Sequence, residues 1–197
     1  MNSPAEKPSK RELTHERIVE VASRALRRNG YEGVGVAEVM KEAGLTHGGF
    51  YSHFESREAM LAEALARAGR DSSANMSDSI RARVARGDSP LRAFIEAYLS
   101  DAHLSGAEQG CPVAALGSEM SRQPPELLAV SAERVRALIN AVQQALPRRP
   151  DAGSVAPLIA STMVGSLQLA RVLGANAQGR ALLAATRKSL LAQYDLS

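Results

Sequence analysis

From Lys10 onward the apolar residues recur three and four positions apart, and no long stretch alternates apolar with polar at period two. That spacing lines up hydrophobic side chains on one side of a helix, and it does not suit a sheet with one wet face. Ala, Leu and Arg, all strong helix formers, are abundant, whereas Trp is absent. The expectation is an all-α chain of about nine helices.

Glycines, prolines and capping residues set the bounds. Residues 1–10, with Pro4 and Pro8, read as a flexible arm. A helix then carries Ile18, Val21, Ala22, Ala25 and Leu26 on one stripe and stops at Gly30, which suits the left-handed position after a helix end. A short helix follows from Val36 to Ala43, with Gly35 before it and Gly44 after it. A second short segment runs from His47 to Phe54, with Thr46 placed to cap it. Ser56 caps a long helix from Arg57 that carries Met60, Leu61, Ala64, Leu65 and Ala68 and breaks near Gly87. Ser89-Pro90 restarts the chain for Leu91, Phe94, Ile95, Tyr98 and Leu99. After a loop over Ser105 to Gly110, Cys111-Pro112 opens a helix ending near Ser121. Pro124-Pro125 opens another, with Leu128, Val135, Leu138, Ile139, Val142 and Leu146 on one stripe. Val155 to Leu173 is apolar nearly all round and approaches the length of a membrane span, but Ser161, Thr162, Ser166, Gln168 and Arg171 interrupt it. A helix buried by its own core and by a partner fits better. A last helix runs from about Gln178 to Tyr194.

Composition narrows the function classes. With 197 residues, 45% hydrophobic and 23% charged, the chain is globular in type, not disordered or collagen-like. A single cysteine excludes an internal disulfide, and with no apolar N-terminal segment the expected compartment is a reducing cytoplasm. Net charge is only +3, and residues 1–60 hold nine Lys/Arg against nine Glu. Any nucleic-acid reading therefore depends on where the charges lie.

Two short helices joined by Ala43-Gly44-Leu45-Thr46 form a helix-turn-helix arrangement. The series Thr14, Ile18, Ala22, Gly30-Tyr31, then Ala43-Gly44-Leu45-Thr46, Gly48, Phe50-Tyr51 and His53-Phe54 resembles the TetR family of bacterial repressors over about residues 12–62. Leu26 stands where that family usually has Phe, Gly35 where Thr or Ser caps the second helix, and Val39-Met40 where Ile-Ala is common. The resemblance implies an N-terminal DNA-binding domain at 11–56 and an effector-binding and dimerisation domain at 57–197. The boundary lies inside the helix beginning at Arg57, so head and body are expected to move as coupled units.

A recognition helix must present small or polar groups at its N-terminal end, and Thr46, His47, Gly48 and Gly49 do so. Glycines inside a helix cost about 1 kcal/mol each relative to Ala, and close approach to DNA gives them a use. Tyr51 and His53 come near phosphates by the resemblance, although His53 reads equally as a core or surface histidine. Arg57 joins a cation to a helix start. Lys10 and Arg11 lie within reach of the DNA backbone or minor groove, and Gly35 and Val36 complete the set. Phe50 and Phe54 read as core, and Arg24, Arg27 and Arg28 as a solvated face.

For the body, the resemblance implies a ligand pocket and a homodimer. The helices at about 155–173 and 178–194 are the interface candidates, with Gly165 and Ser166 permitting close approach; a plain core helix is the alternative. A small, mostly apolar effector would lie among Met60, Phe94, Tyr98, Met120 and Leu138. Cys111 sits at a helix N-terminus, where the dipole favours the thiolate. The Gly110-Cys111 pair looks like a TetR branch in which some members respond to electrophiles or oxidants, while free cysteines also serve as small buried hydrophobes.

The expected partners are double-stranded operator DNA, a second copy and an unidentified small molecule, with no membrane, cofactor or metal. An enzyme is a competing class, but His15, His47, His53 and His103 show no metal-ligand spacing, and Gly33-Val34-Gly35 lacks the third glycine of a dinucleotide loop because Glu38 stands there. Pairing Cys111 with His103 as thiol and base would leave no third group. A helical adaptor without DNA binding is the remaining alternative, and salt-dependent DNA binding separates it from a regulator.

Overall fold

The computed structural model describes residues 8–195. Most of the arm expected over 1–10 lies outside them, and Lys10 already belongs to the first helix. Among the described residues there are nine α-helices and two short 3-10 turns. The helices are α1 (Lys10–Asn29), α2 (Val36–Glu42), α3 (Arg57–Val84), α4 (Pro90–Tyr98), α5 (Asp101–Ser105), α6 (Pro112–Met120), α7 (Pro125–Ala145), α8 (Ala152–Leu173) and α9 (Ala177–Tyr194). The 3-10 turns are His47–Ser52 and Ala107–Gln109.

Local chemistry accounts for the helix starts. Ser9 and Glu12 form a reciprocal capping box on α1: Ser9 Oγ accepts from the Glu12 N–H and the Glu12 carboxylate accepts from the Ser9 N–H. Ser56 caps α3 and Ser89 caps α4, each accepting from the N–H three residues on. Ser100 does the same for α5, a one-turn helix inside what reads in the sequence as the tail of α4 and a loop. Gly30 ends α1 at φ 73°, in the left-handed region that penalises a Cβ.

α1 lies along α3, which runs on from the head to pack against α4 and α7; α8 then joins α7 to α9. The stripes read for α1, α3 and α4 are all buried. The stripe read for α7 holds in its second half, where Val142 and Leu146 are buried and Leu138 and Ile139 pack on the core, but not in its first half. Leu127, Ser131 and Val142 face the core, while Leu128 and Val135 are exposed.

Head and body share one hydrophobic core, and polar bonds reinforce the joint. Arg27, expected on a solvated face, is instead only 5% exposed. Its guanidinium donates to the Ser23 carbonyl, to Ser23 Oγ and, at 3.2 Å, to the Gly110 carbonyl just ahead of α6. The Tyr31 N–H donates to the Glu119 carboxylate at 3.0 Å, and the Tyr31 hydroxyl meets Ser131 Oγ on α7 at 3.3 Å.

His103 braces the other side of this joint. Its Nδ1 lies 2.6 Å from the Tyr98 carbonyl and its Nε2 accepts the Cys111 N–H at 2.9 Å. That pairing fixes a neutral ring with the proton on Nδ1. Burial lowers its pKa from 6.5 to about 4; the Tyr98 carbonyl opposes the shift and the Arg171 guanidinium adds to it. The unfolded chain takes up this proton near the ordinary value and the folded chain only near 4. Between those values protonation favours unfolding, so this contribution to stability is intact at neutral pH and lost as pH falls. Urea unfolding between pH 7.5 and 5 should show wild type losing about 2 kcal/mol more than His103→Gln, at about 1.4 kcal/mol per pH unit below the unfolded pKa. Equal losses would contradict the buried neutral ring.

Candidate nucleic-acid interface and ligand cavity

The second segment of the helix-turn-helix is a 3-10 turn, His47–Ser52, rather than an α-helix. Two adjacent glycines weaken α-helical order there, and tighter i→i+3 bonds, such as Gly49 N–H to the Thr46 carbonyl at 3.1 Å, take over. Thr46 stands at the cap position, but its side chain makes no capping bond. Phe50 and Phe54 are core, stacked 5.4 Å apart, and His15 stacks on Phe54 at 4.6 Å. Those rings anchor the turn from inside. Thr46, His47, Gly48 and Tyr51 are exposed, Tyr51 by 72%.

Gly48 has open space where a Cβ would project, so nothing within the chain requires a glycine there. Two arginines bracket the turn. Arg11 donates to the Ser52 carbonyl at its far end at 2.8 Å. Arg17, which the sequence reading did not single out, lies over Gly44 at its near end, with Nη2 2.9 Å from where a Cβ would stand. In the described part of the head Arg24 and Arg28 are ion-paired and Arg27 is buried, while Lys10, Arg11, Arg17 and Lys41 enter no ion pair among the described residues. The head is formally near neutral, yet its unpaired guanidiniums are gathered beside the turn.

Other expected residues take different surroundings. Arg57 does not reach outward: its guanidinium donates to the Val34 carbonyl at 3.0 Å and to the Tyr31 carbonyl, tying the 31–34 loop to α3. Gly35 does precede α2 with no side-chain cap, but the Glu38 carboxylate folds over it, occupying the space where a Cβ would stand. That acid shadows the backbone donors at Gly35 and Val36. His53 is half-buried, its Nδ1 lacks a partner, and its pKa is lowered by burial, then by His15 and Arg11.

In the body, α3, α4, α6 and α7 enclose a cavity of about 130 Å³. Phe94, Tyr98, Cys111 and Leu138 line it as expected. Met60 and Met120 do not; both are core residues, 0% and 5% exposed. Met76, Ile80, Val113 and Arg134 complete much of the wall and were missed, because their convergence depends on helix crossings and not on sequence spacing. The Tyr98 hydroxyl and Arg134 Nε are buried without hydrogen-bond partners. Burial, then the neighbouring Cys111, pushes the Tyr98 hydroxyl well above its usual pKa, so it stays protonated and able to donate.

Comparisons with known proteins agree with this geometry. Residues 18–64 match the family model of bacterial regulatory proteins, tetR family. The whole chain is similar to solved structures: a TetR transcriptional regulator from Chloroflexus aurantiacus J-10-FL, at TM-score 0.75 and 24% identity, covering 94% of this chain and 97% of that one; a TetR-family regulator from Agrobacterium tumefaciens, at 0.74 and 19%, covering 94% and 99%; and E. coli NemR in its reduced form, at 0.71 and 21%, covering 89% and 95%. No curated protein matches the chain. The structural likeness establishes the fold of the whole chain, and residues 18–64 carry a head that matches the model of bacterial regulatory proteins of the tetR family.

Proposed function

We propose that the chain is a dimeric, cytoplasmic transcriptional repressor that leaves a palindromic operator when a small molecule fills the cavity of its body. The observation that carries this reading is the exposed 46–51 surface. It pairs a glycine that packing does not require with an exposed tyrosine, between two arginines that have no acidic partner among the described residues. Thr46, His47, Gly48 and Gly49 face base edges in the major groove, and Tyr51, Lys10, Arg11 and Arg17 hold phosphates. Arg57 positions the head and does not contact DNA.

The dimer reading is supported by the outer face of α8. Leu158, Leu169 and Val172 are 54%, 61% and 86% exposed, and Gly165 between them has open space where a Cβ would project. α8 is long and apolar enough to cross a bilayer by length and composition. Its inner row, Ile159, Met163, Leu167 and Ala170, is nevertheless fully buried, so the exposed row is a face for a second copy. α9 adds exposed Ala181, Ala184, Ala185 and Ala192, small enough to let helices approach.

A second reading rests on Cys111, which lines the cavity while only 7% exposed. A reactive small molecule admitted there would meet a thiol as well as an apolar wall. With no second cysteine in the chain, the product would be an adduct and not an internal disulfide. An operator complex that still dissociates with Cys111→Ser on addition of the inducer would exclude this reading.

Selection of bound fragments from random duplex DNA should return a pseudo-palindrome with half-sites about one helical turn apart, and the affinity should fall steeply with salt. On that operator, Thr46→Ala/Tyr51→Ala should abolish specific binding and leave the dimer intact. Gly48→Ala should fold at least as stably as wild type yet bind DNA more weakly, because only the DNA-facing side is filled. Leu169→Glu/Val172→Glu should elute as a monomer in size-exclusion chromatography. Wild-type operator affinity in either head variant, or a dimeric Glu variant, would refute the corresponding assignment.

A further inference from the structure

We infer that the effector is a small organic monocarboxylate with an apolar body about one ring in size; this rests on the cavity being the effector site proposed above. Three independent features of the wall point to negative charge. Arg134 is the sole formally charged side chain among the lining residues, and its Nε is buried without a partner. The Tyr98 hydroxyl, 1% exposed, also has no partner and remains a donor. The N-terminus of α6 enters the wall with Cys111, Pro112 and Val113, and no side chain caps it. A helix N-terminus of that kind carries unsatisfied N–H groups and partial positive charge. No Asp or Glu lines the cavity.

The nearest carboxylate recorded for Arg134 is Glu133, at 3.6 Å and 61% exposed, so the guanidinium is paired only on its solvent side. A cation would find no counter-charge here. A neutral apolar molecule would leave Arg134 Nε unmet and the Tyr98 hydroxyl with no acceptor better than the neighbouring Cys111 thiol, which is unfavourable. A carboxylate satisfies both, and its acceptor oxygens suit the guanidinium.

Size and surface specify the remainder of the molecule. About 130 Å³ is close to the volume of an apolar cavity that admits a benzene-sized molecule. Phe94, Ile80, Met76 and Leu138 supply an apolar bed for a ring or a short branched chain.

The test uses the full chain without DNA, so it is independent of whether an operator is found. Titration calorimetry compares benzoate with benzyl alcohol, a neutral molecule of similar shape, and with benzylamine, its cationic counterpart. Benzoate should bind at least about tenfold more tightly than benzyl alcohol, and benzylamine should not bind. Arg134→Gln should bring benzoate down to the affinity of benzyl alcohol, and Tyr98→Phe should weaken benzoate about threefold or more. Equal affinity for benzoate and benzyl alcohol in wild type, or no benzoate binding at millimolar concentration, overturns the inference without any variant. A benzoate preference that survives in folded Arg134→Gln overturns it as well. Failure to select DNA, with the benzoate preference intact, would instead remove the regulator reading and leave the ligand class standing.

Discussion

A buried guanidinium without a carboxylate partner holds the two parts of this molecule in register. Arg27 stands in the last turn of α1, where the helix dipole favours a cation. It satisfies its donors on neutral oxygens from three places: Ser23 on its own helix, Ala68 on α3 and Gly110 ahead of α6. Burial lowers its pKa, while Asp71, Cys111 and Glu108 act electrostatically in the other direction. Removing a charge of this kind leaves several buried carbonyls unmet, so the orientation of the head depends on the body's backbone near residue 110. Tyr31 makes the same connection from the next loop, through Glu119 and Ser131.

Most of the helical framework was legible because each strong stripe coincided with a burial surface. Ile18, Val21, Ala22, Ala25 and Leu26 on α1, and Met60 to Ala68 on α3, point where periodicity put them. The misses share one cause. Where polar residues occupy core positions, a stripe drawn through apolar residues alone is rotated. Val19, Ser23 and Arg27 form an i, i+4 row that is entirely buried, yet Arg27 reads in the sequence as surface. On α7, Ser131 belongs to the inner row with Leu127, and drawing the stripe through Leu128 and Val135 turns the first half of the helix away from its true face. In both cases the hydroxyl is satisfied within the fold, since Ser131 donates to the Leu127 carbonyl and Ser23 accepts from Arg27. That pairing removes the usual penalty for burying it.

The site divides in the same way. The identities at 46–51 were enough to pick out an exposed turn, because small and polar residues beside two anchoring phenylalanines form a local pattern. Its 3-10 geometry, the withdrawal of Arg57 to the 31 and 34 carbonyls, and the position of Arg17 over Gly44 all arise from contacts between elements. The cavity is still less local. Four helices contribute to it, and its charge comes from Arg134, which no motif or spacing in the sequence singles out.

The cavity and the head meet in adjacent residues of a single strand of backbone. Cys111 lines the cavity, its N–H is fixed by His103, and the carbonyl of the same peptide unit, that of Gly110, accepts from Arg27. A peptide unit is planar and stiff, so the α6 N-terminus cannot shift against a ligand without carrying that carbonyl along. Gly110 leaves little slack for the movement to be absorbed: His103 Cδ2 lies 2.6 Å from where its Cβ would stand, and Arg171 Nη2 3.1 Å. An anion drawing on the N-terminus of α6 therefore acts on the same few atoms that orient α1. On the proposed function, coupling between the cavity and the head would take the form of differential binding to two arrangements of this peptide.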